Sequence, residues 1–461
     1  MRWTNLTACG LAWLLLGAAA AAQPLRPWSE NPFYWEYHGR PVLLVGGSDD
    51  DNLFQWPDEK LRRHLDRMQK LGANYVRNTM SDRRDRGWEV YPFRRLQNGK
   101  YDLEQFNPEY WRRFERFLKW THQRGIFVQI ELWDRFDYSR GHWLGHPYNP
   151  ANNVNYTHQQ SGLAPRYPKH PGANQQPFFF TTPAQRNNQM VFRYQKRQID
   201  RLLSIALQFD HVLYCIDNET SGDERWGRFW AGYLHRRAKE AGKRIYVTEM
   251  WDDWNLRSPQ HRRTLDHPEL YQFVDVSQNN HQKNQRHWDN FQWVRGYLKK
   301  RPRPINSVKI YGADRNKFGH SNQDGVERFW RHLLGGAAAV RFHRPPSGLG
   351  LSEVAAGCIR AARALEQLVP LWHLEPNLKL LRRREADEAY LACRPGKAYV
   401  VYFTDGGDVE LDLRGCRKEL RLRWISVATG EVKQGRSVPG GLWLPLHAPA
   451  PGGHLAVLLA P

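Results

Sequence analysis

Eight short apolar runs, separated by helical segments, constrain this chain more than any other feature of its sequence. Pro41–Ser48 reads as strand one, Asn74–Met80 as strand two, Ile126–Trp133 as strand three and His211–Glu219 as strand four. Arg244–Trp251, Phe273–Asn280, Ile305–Gly312 and Ala337–His343 supply strands five to eight. Between them lie segments of helical spacing. Pro57–Leu71 carries Leu61, Leu65, Met68 and Leu71 on one face. Asn107-Pro108 reads as an N-cap followed by proline at the first helical position, and that helix runs to Gln123. Further helices are expected over Asn187–Phe209, Glu224–Ala241, Asn284–Lys300, Gly325–Leu334 and Ser352–Leu368. Strands alternating with helices predict an α/β fold with a parallel sheet. Eight such units over roughly 330 residues predict a (β/α)8 TIM barrel, spanning residues 23–372.

The pattern lapses once. Residues 134–186 are rich in Asn, Gln, Pro, Gly, His and aromatics, among them Trp143, Tyr148, Tyr156, Tyr167 and Phe178-Phe179-Phe180. Long stretches without periodicity are usually functional or disordered. The aromatic content argues against disorder, so the expectation is an ordered loop over the mouth of the barrel. Past Trp372 the character changes to short strand-like runs, at Tyr390–Cys393, Ala398–Phe403, Asp408–Leu413, Leu420–Ile425 and Leu455–Leu459, punctuated by glycine turns. These predict a small all-β sandwich over residues 373–461.

Residues 1–22 read as an export signal. Arg2 precedes an apolar stretch, Leu11–Ala22, that ends in small residues, so cleavage is expected after Ala22 and the mature chain is expected to be secreted or periplasmic. Leu6-Thr7-Ala8-Cys9 is like a lipoprotein signal, but it sits before the apolar stretch rather than after it. No later run is long enough to span a membrane. Of the four remaining cysteines, Cys215 and Cys358 read as buried thiols, whereas Cys393 and Cys416 either pair or stay free. No spacing suggests a zinc site, and the sequence implies neither a cofactor nor a metal. Oligomeric state is not legible.

The net charge of +21 favours polyanionic partners by long-range attraction. With an export signal, acidic polysaccharide is the better candidate than nucleic acid; an Arg-rich surface without a polyanionic partner is the other account. Twenty tryptophans is a high number; core packing accounts for most of them, and about a third are assigned to binding, since pockets are aromatic-lined. Trp133, Trp251 and Trp254 lie at strand ends as candidate sugar platforms. Strand four, Leu213-Tyr214-Cys215-Ile216-Asp217-Asn218-Glu219, delivers a carboxylate to its own C-terminal tip, which is where barrels keep catalytic groups.

Phe33-Tyr34-Trp35-Glu36-Tyr37-His38-Gly39-Arg40-Pro41-Val42-Leu43-Leu44-Val45-Gly46, with Asn74-Tyr75-Val76-Arg77-Asn78 and Asp217-Asn218-Glu219, resembles the apiosidase-like glycoside hydrolases. Pro395–Tyr402, Trp424 and Thr429-Gly430 resemble the β-sandwich of collagen-binding type that commonly trails such barrels. The resemblance covers nearly all the mature chain. It implies glycosidic bond cleavage, with Glu219 as general acid/base and Asn218 bonding the sugar hydroxyl beside the scissile bond. Such hydrolysis usually needs a second carboxyl group. The superfamily carries it as a Glu ending strand seven, where this chain has Lys309 or Ile310. Glu249 on strand five is the first candidate to replace it, followed by Asp252 and Glu131. Lys309, Arg77, Arg341, His343 and Arg344 are candidate ligands of an anionic sugar group, and Asn78, Gln278, Asn280 and His281 of sugar hydroxyls. The Asp49-Asp50-Asp51 run reads as a solvated turn rather than a calcium site.

The expected function is a secreted hydrolase of a poly- or oligosaccharide, neutral or acidic. The missing strand-seven Glu keeps open a carbohydrate-binding barrel without hydrolysis. A third account is an adhesion protein that binds through its sandwich.

Overall fold

The computed structural model describes residues 24–449 and 452–461, apart from residues 82, 84, 85 and 168–173. The export signal, its cleavage site and Cys9 therefore lie outside the described residues.

Eight parallel strands follow in chain order: β1 (Leu44–Gly47), β2 (Tyr75–Thr79), β3 (Phe127–Asp134), β4 (Val212–Asn218), β5 (Val247–Thr248), β6 (Val274–Asp275), β7 (Ile305–Ile310) and β8 (Ala339–Phe342). Each is followed by one principal helix: α1 (Asp58–Leu71), α2 (Pro108–Gln123), α3 (Gln189–Ala206), α4 (Glu224–Glu240), α5 (Pro259–Leu265), α6 (Asn284–Tyr297), α7 (Asn322–Gly335) and α8 (Glu353–Leu368). Strands β2–β5 form one four-stranded sheet and β6, β7, β8 and β1 the other. Hydrogen bonds join the sheets at both edges. The Asn74 N–H donates to Val45 O (2.9 Å) beside β1 and β2, and the Gln272 N–H to Val247 O (3.0 Å) beside β5 and β6.

Local chemistry explains several boundaries. Asn107 caps α2 by accepting from the Glu109 N–H, with Pro108 in the first turn. Ser321 and Asp324 form a capping box on α7. Gly46 has no alternative, because a Cβ there would lie 2.0 Å from the Tyr75 carbonyl oxygen.

Strands five and six are much shorter than expected. Beyond Thr248 the Glu249 carboxylate itself accepts from the Asp217 and Met250 N–H groups (2.9 and 3.0 Å), taking the place of a ladder carbonyl. Pairing resumes at a bridge between Thr220 and Trp251. Past β6 the chain winds into a 3-10 turn, Ser277–His281. Three features were not anticipated: the helix α5, a hairpin of Phe93–Arg95 with Tyr101–Phe106, and the strand Arg26–Pro27, which joins the opening hairpin of Trp35–Tyr37 and Arg40–Val42 to make a three-stranded N-terminal sheet. Trp35 of that sheet packs edge-on against Tyr246 and Phe273 and donates to Asn306.

The stretch after β3 contains short helices at Arg140–Gly145 and His158–Ser161 and a 3-10 turn at Pro177–Phe180. It is tied down by aromatic packing. Phe178 stacks on Tyr138 at 3.9 Å and meets Trp133 and Trp226.

The C-terminal segment forms two antiparallel sheets. The larger pairs β9 (Ala389–Arg394), β10 (Ala398–Phe403), β14 (His454–Leu459) and β12 (Leu420–Ser426) in that spatial order. The smaller joins Leu381–Arg382, β11 (Asp408–Asp412) and β13 (Trp443–His447); β13 escaped the sequence pattern. Leu391, Val401 and Ala456 face Val409, Leu411 and Leu446 in a core between the sheets. Their neighbours Tyr390, Val400, Tyr402 and Val457 join the core of the α/β unit instead, as period-two alternation requires of a strand buried on both faces. Cys393 and Cys416 are buried free thiols, so the pairing left open by the sequence does not occur. Among the described residues, no helix is long and apolar enough to cross a membrane.

Candidate active site

A cavity of about 280 Å³ opens at the C-terminal ends of the eight strands. It is lined by Asn218 and Glu219 after β4, Asp252 after β5, Gln278 and His281 after β6, Lys309 and Tyr311 from β7, and His343 and Arg344 after β8. Asp51, Arg77, Arg83, Arg135 and Lys317 complete a lining with six Arg or Lys side chains against three carboxylates.

Glu219, one of the lining residues, has φ at +52°. A non-glycine residue in the left-handed region is held there by its surroundings and is frequent at functional sites. The Lys309 ammonium donates to Glu219 Oε1 at 2.5 Å and also to Asn218 Oδ1; the Tyr311 hydroxyl donates to the same Oε1 at 2.9 Å. Arg135 lies 3.7 Å from Glu219 Oε2 and donates to Asp252 Oδ2 at 2.7 Å. One guanidinium thus lies between two carboxylates. Their environments push them apart. Burial raises Glu219, but Lys309, Arg135 and Arg77 outweigh it and hold this carboxyl far below its usual range. Asp252 is raised, because burial and the Glu219 charge prevail over Arg135.

Behind this pair lies a buried charge lattice. Arg77 bridges Asp51 (2.9 Å) and Glu131 (2.6 Å), and Asp51 also receives Arg341 (3.2 Å) and Arg344 (2.7 Å). Burial pushes Asp51 up, but Arg77, His343, Arg344 and Arg341 together hold it well below its ordinary value. Removing one partner from such a lattice leaves an uncompensated buried charge. Along the rim, His281 stacks on Trp254 with centroids 4.3 Å apart and touches Tyr311 and Phe318. Burial lowers the His281 imidazole to about 4, so it is neutral at ordinary pH. Gln278 is 1% exposed, and neither end of its amide has a protein partner. An unpaired buried amide beside a cavity is set up to bind a polar ligand group or water.

The cavity brings together ten of the residues singled out from the sequence: Arg77, Asn218, Glu219, Asp252, Trp254, Gln278, His281, Lys309, His343 and Arg344. Others do not line it. Glu249 is buried at 1% exposure and spends its carboxylate on backbone N–H groups. Burial and neighbouring Asp217 raise it well above a carboxylate's usual value, which disqualifies it as an ionised nucleophile. Glu131 is enclosed as the partner of Arg77. Trp133 is walled in by Phe178, Trp226 and Trp230, so no ring face is open to a sugar. Trp251 is buried with its indole N–H on Thr264. Asn78 accepts from the Phe54 N–H, and Asn280 donates to Ser277 O and Ser307 Oγ. Of the three proposed platforms only Trp254, 52% exposed, meets the cavity.

Tyr311 and Arg135 were missed as site residues. Tyr311 was within reach of sequence logic, since it lies two residues past Lys309 on the same strand direction. Arg135 was not, because its place depends on the turn after β3. The Asp49-Asp50-Asp51 run does not converge on a cation. Asp49 accepts from the Leu351 N–H, Asp50 from Trp56, and Asp51 belongs to the arginine lattice.

No family model matches the chain, and no curated protein matches it. Solved structures do. A glycoside hydrolase family 5 protein from Bacteroides vulgatus superposes with a TM-score of 0.65 at 13% identity, over 95% of this chain and 94% of that one. A second structure, described as a glycoside hydrolase, gives 0.65 at 12% identity, over 95% of this chain and 97% of the other. The α-amylase of Geobacillus thermoleovorans gives 0.55 at 11% identity, over 90% and 98%. At such identities the likeness is one of fold, and these neighbours are TIM-barrel glycosidases.

Proposed function

We propose that this protein is an exported (β/α)8-barrel glycoside hydrolase with a C-terminal β-sandwich, cleaving glycosidic bonds in an anionic poly- or oligosaccharide. The observation that carries the proposal is the Glu219–Arg135–Asp252 arrangement, two cavity carboxyl groups of opposite protonation tendency on either side of one guanidinium. Groups whose environments drive their pKa values apart are suited to opposite roles. Asp252, raised, donates the proton to the leaving oxygen. Glu219, held ionised by Lys309, acts on the anomeric side, as nucleophile or as base toward water. The resemblance to apiosidase-like hydrolases gives Glu219 the acid's role; the charge of Lys309 favours the reverse. Arg135 keeps the two groups in register, and Gln278, Asn218 and His281 bind hydroxyls, with Trp254 as the open ring face. The cationic excess of the lining supports a uronate or sulfate on the substrate, with Lys317 and Arg344 as its partners at the rim.

One observation favours a second reading. Lys309 stands where related barrels carry a carboxylate, and its ion pair with Glu219 suits a site that binds glycans without cutting them. Reducing-end release from neutral, uronate-containing and sulfated glycans separates the two. Hydrolysis through this pair predicts release by the wild type that Glu219→Gln and Asp252→Asn both reduce severely. Binding without release, across the same panel, identifies the non-catalytic barrel. Equal release by Asp252→Asn removes Asp252 from the mechanism.

A further inference from the structure

At the opposite end of β4, about 20 Å from the cavity at the strand rise of ~3.3 Å per residue, lies a cluster that the proposed hydrolysis does not use. Asp210 and His211 immediately precede β4, and His122 lies in the last turn of α2. One ligand atom from each of these three residues lies within 4.8 Å of the others. His122 Nε2 is 3.3 Å from Asp210 Oδ1, and the His122 and His211 rings have centroids 5.0 Å apart.

The protonation of His211 follows from its neighbour. Thr121 Oγ1 lies 2.9 Å from Phe117 O and 3.0 Å from Leu118 O, so its single proton goes back into the helix. The same oxygen meets His211 Nε2 at 3.0 Å and must accept there. His211 Nε2 therefore carries the hydrogen, and Nδ1 is left with a bare lone pair. His211 is 2% exposed and its Nδ1 has no protein partner. A buried lone pair without a donor is costly. A histidine whose far nitrogen is fixed by an outer hydrogen bond is the arrangement of a metal ligand. Asp210 is oriented in the same way, with the Tyr37 hydroxyl donating to Oδ1 at 2.9 Å and His38 Nε2 3.4 Å from Oδ2.

We propose that His122, Asp210 and His211 bind one divalent transition metal ion of the zinc class. Two imidazoles and a carboxylate suit zinc and not magnesium or calcium, which prefer oxygen ligands. The ion would fasten the end of α2 to the start of β4, with Tyr37 and His38 of the N-terminal sheet bracing the carboxylate. Its part in the molecule is structural, independent of the cavity chemistry.

The test is calorimetric titration of chelator-stripped, full-length protein with ZnCl2, paired with melting curves. One equivalent is expected to bind and to raise Tm, while MgCl2 does neither. His122 has an exposed side chain, so His122→Ala is expected to fold normally in the absence of metal and to lose affinity on the order of 100-fold. Thr121→Val, which removes the hydrogen bond to His211 together with the hydroxyl's bond back into its own helix, is expected to cost about 10–100-fold, as outer partners of ligands do. Zinc binding of unchanged stoichiometry and affinity in His122→Ala places the ion elsewhere among the histidines and overturns the proposal. So does the absence of zinc binding by the wild type.

Discussion

The Lys309 ammonium, carried on β7, lies 2.5 Å from the Glu219 carboxylate at the tip of β4. It is the largest of the influences that hold Glu219 ionised against burial. It also lies near enough to hold Asn218, so the tip of β4 is anchored from across the cavity.

Replacing Lys309 by Met removes the largest influence holding Glu219 ionised. The acidic limb of the pH–rate profile is then expected to move to higher pH, with kcat/KM down on the order of 10²–10³-fold, as for the loss of a preorganised electrostatic contact. A profile that keeps its acidic limb would show that Lys309 does not set the ionisation of Glu219.

Asp252 is raised above its ordinary value by burial and by Glu219. If it donates the proton, its active form is the protonated one. Activity then falls as pH rises through its pKa, and the optimum lies on the acid side. Asp252→Asn is expected to lower kcat by about 10²–10⁴-fold, the usual share of a general acid, and to abolish the alkaline limb. Rates measured from pH 3 to 8 on both proteins decide this.

Gln278 offers a test that separates binding from folding. Its amide is buried and unpaired, so Gln278→Leu removes an unsatisfied group and is expected to leave Tm unchanged or raise it. Because a hydroxyl ligand is lost, KM for the substrate is expected to rise about 10-fold, equivalent to about 1.4 kcal/mol. A fall in Tm with unchanged KM would assign Gln278 to packing.

The C-terminal sheets should not be separable from the α/β unit. Gly357 on α8 lets Ala428 approach so closely that a Cβ would meet its carbonyl oxygen at 2.0 Å. Arg331 on α7 pairs with Asp387 at 2.5 Å, and Trp330 packs on Tyr402. Gly357→Ala is expected to cost roughly 1–3 kcal/mol by overpacking, read as a lower urea midpoint. A chain ending at residue 372 is expected to aggregate, because the partner of an apolar surface is gone.

Stability should fall on acidification below neutrality. Burial lowers His146 and His332 to about 3, from an ordinary value of 6.5. Between those limits the unfolded chain binds more protons, so stability is full above about pH 6.5 and is lost as pH falls toward 3. At pH 5 each contributes a loss of about 2 kcal/mol. Urea midpoints at pH 7 and 5 measure it, and His146→Gln should reduce the difference.

Much of this molecule was written into the order of its residues. The eight strands, seven of the eight principal helices, the Asn107 cap, and five of the C-terminal strands follow from local periodicity and turn chemistry, which act over a few neighbouring residues. Glu219 at the tip of β4 was legible for the same reason. The partners of the carboxylates were not. Glu249 and Asp252 stand three residues apart on one segment, and nothing local tells which one faces the backbone of β4 and which faces the cavity. That depends on how far β5 stays in register before Glu249 inserts itself into the ladder. Trp133 and Trp254 are alike in sequence, yet one is enclosed by residues of α4 and the loop after β3, while the other is open. Sequence determined which residues could carry charge or stack on a sugar. Only the tertiary structure decided which are exposed to a ligand and in what charge state, because burial and cross-strand contacts are set by residues far away in the chain.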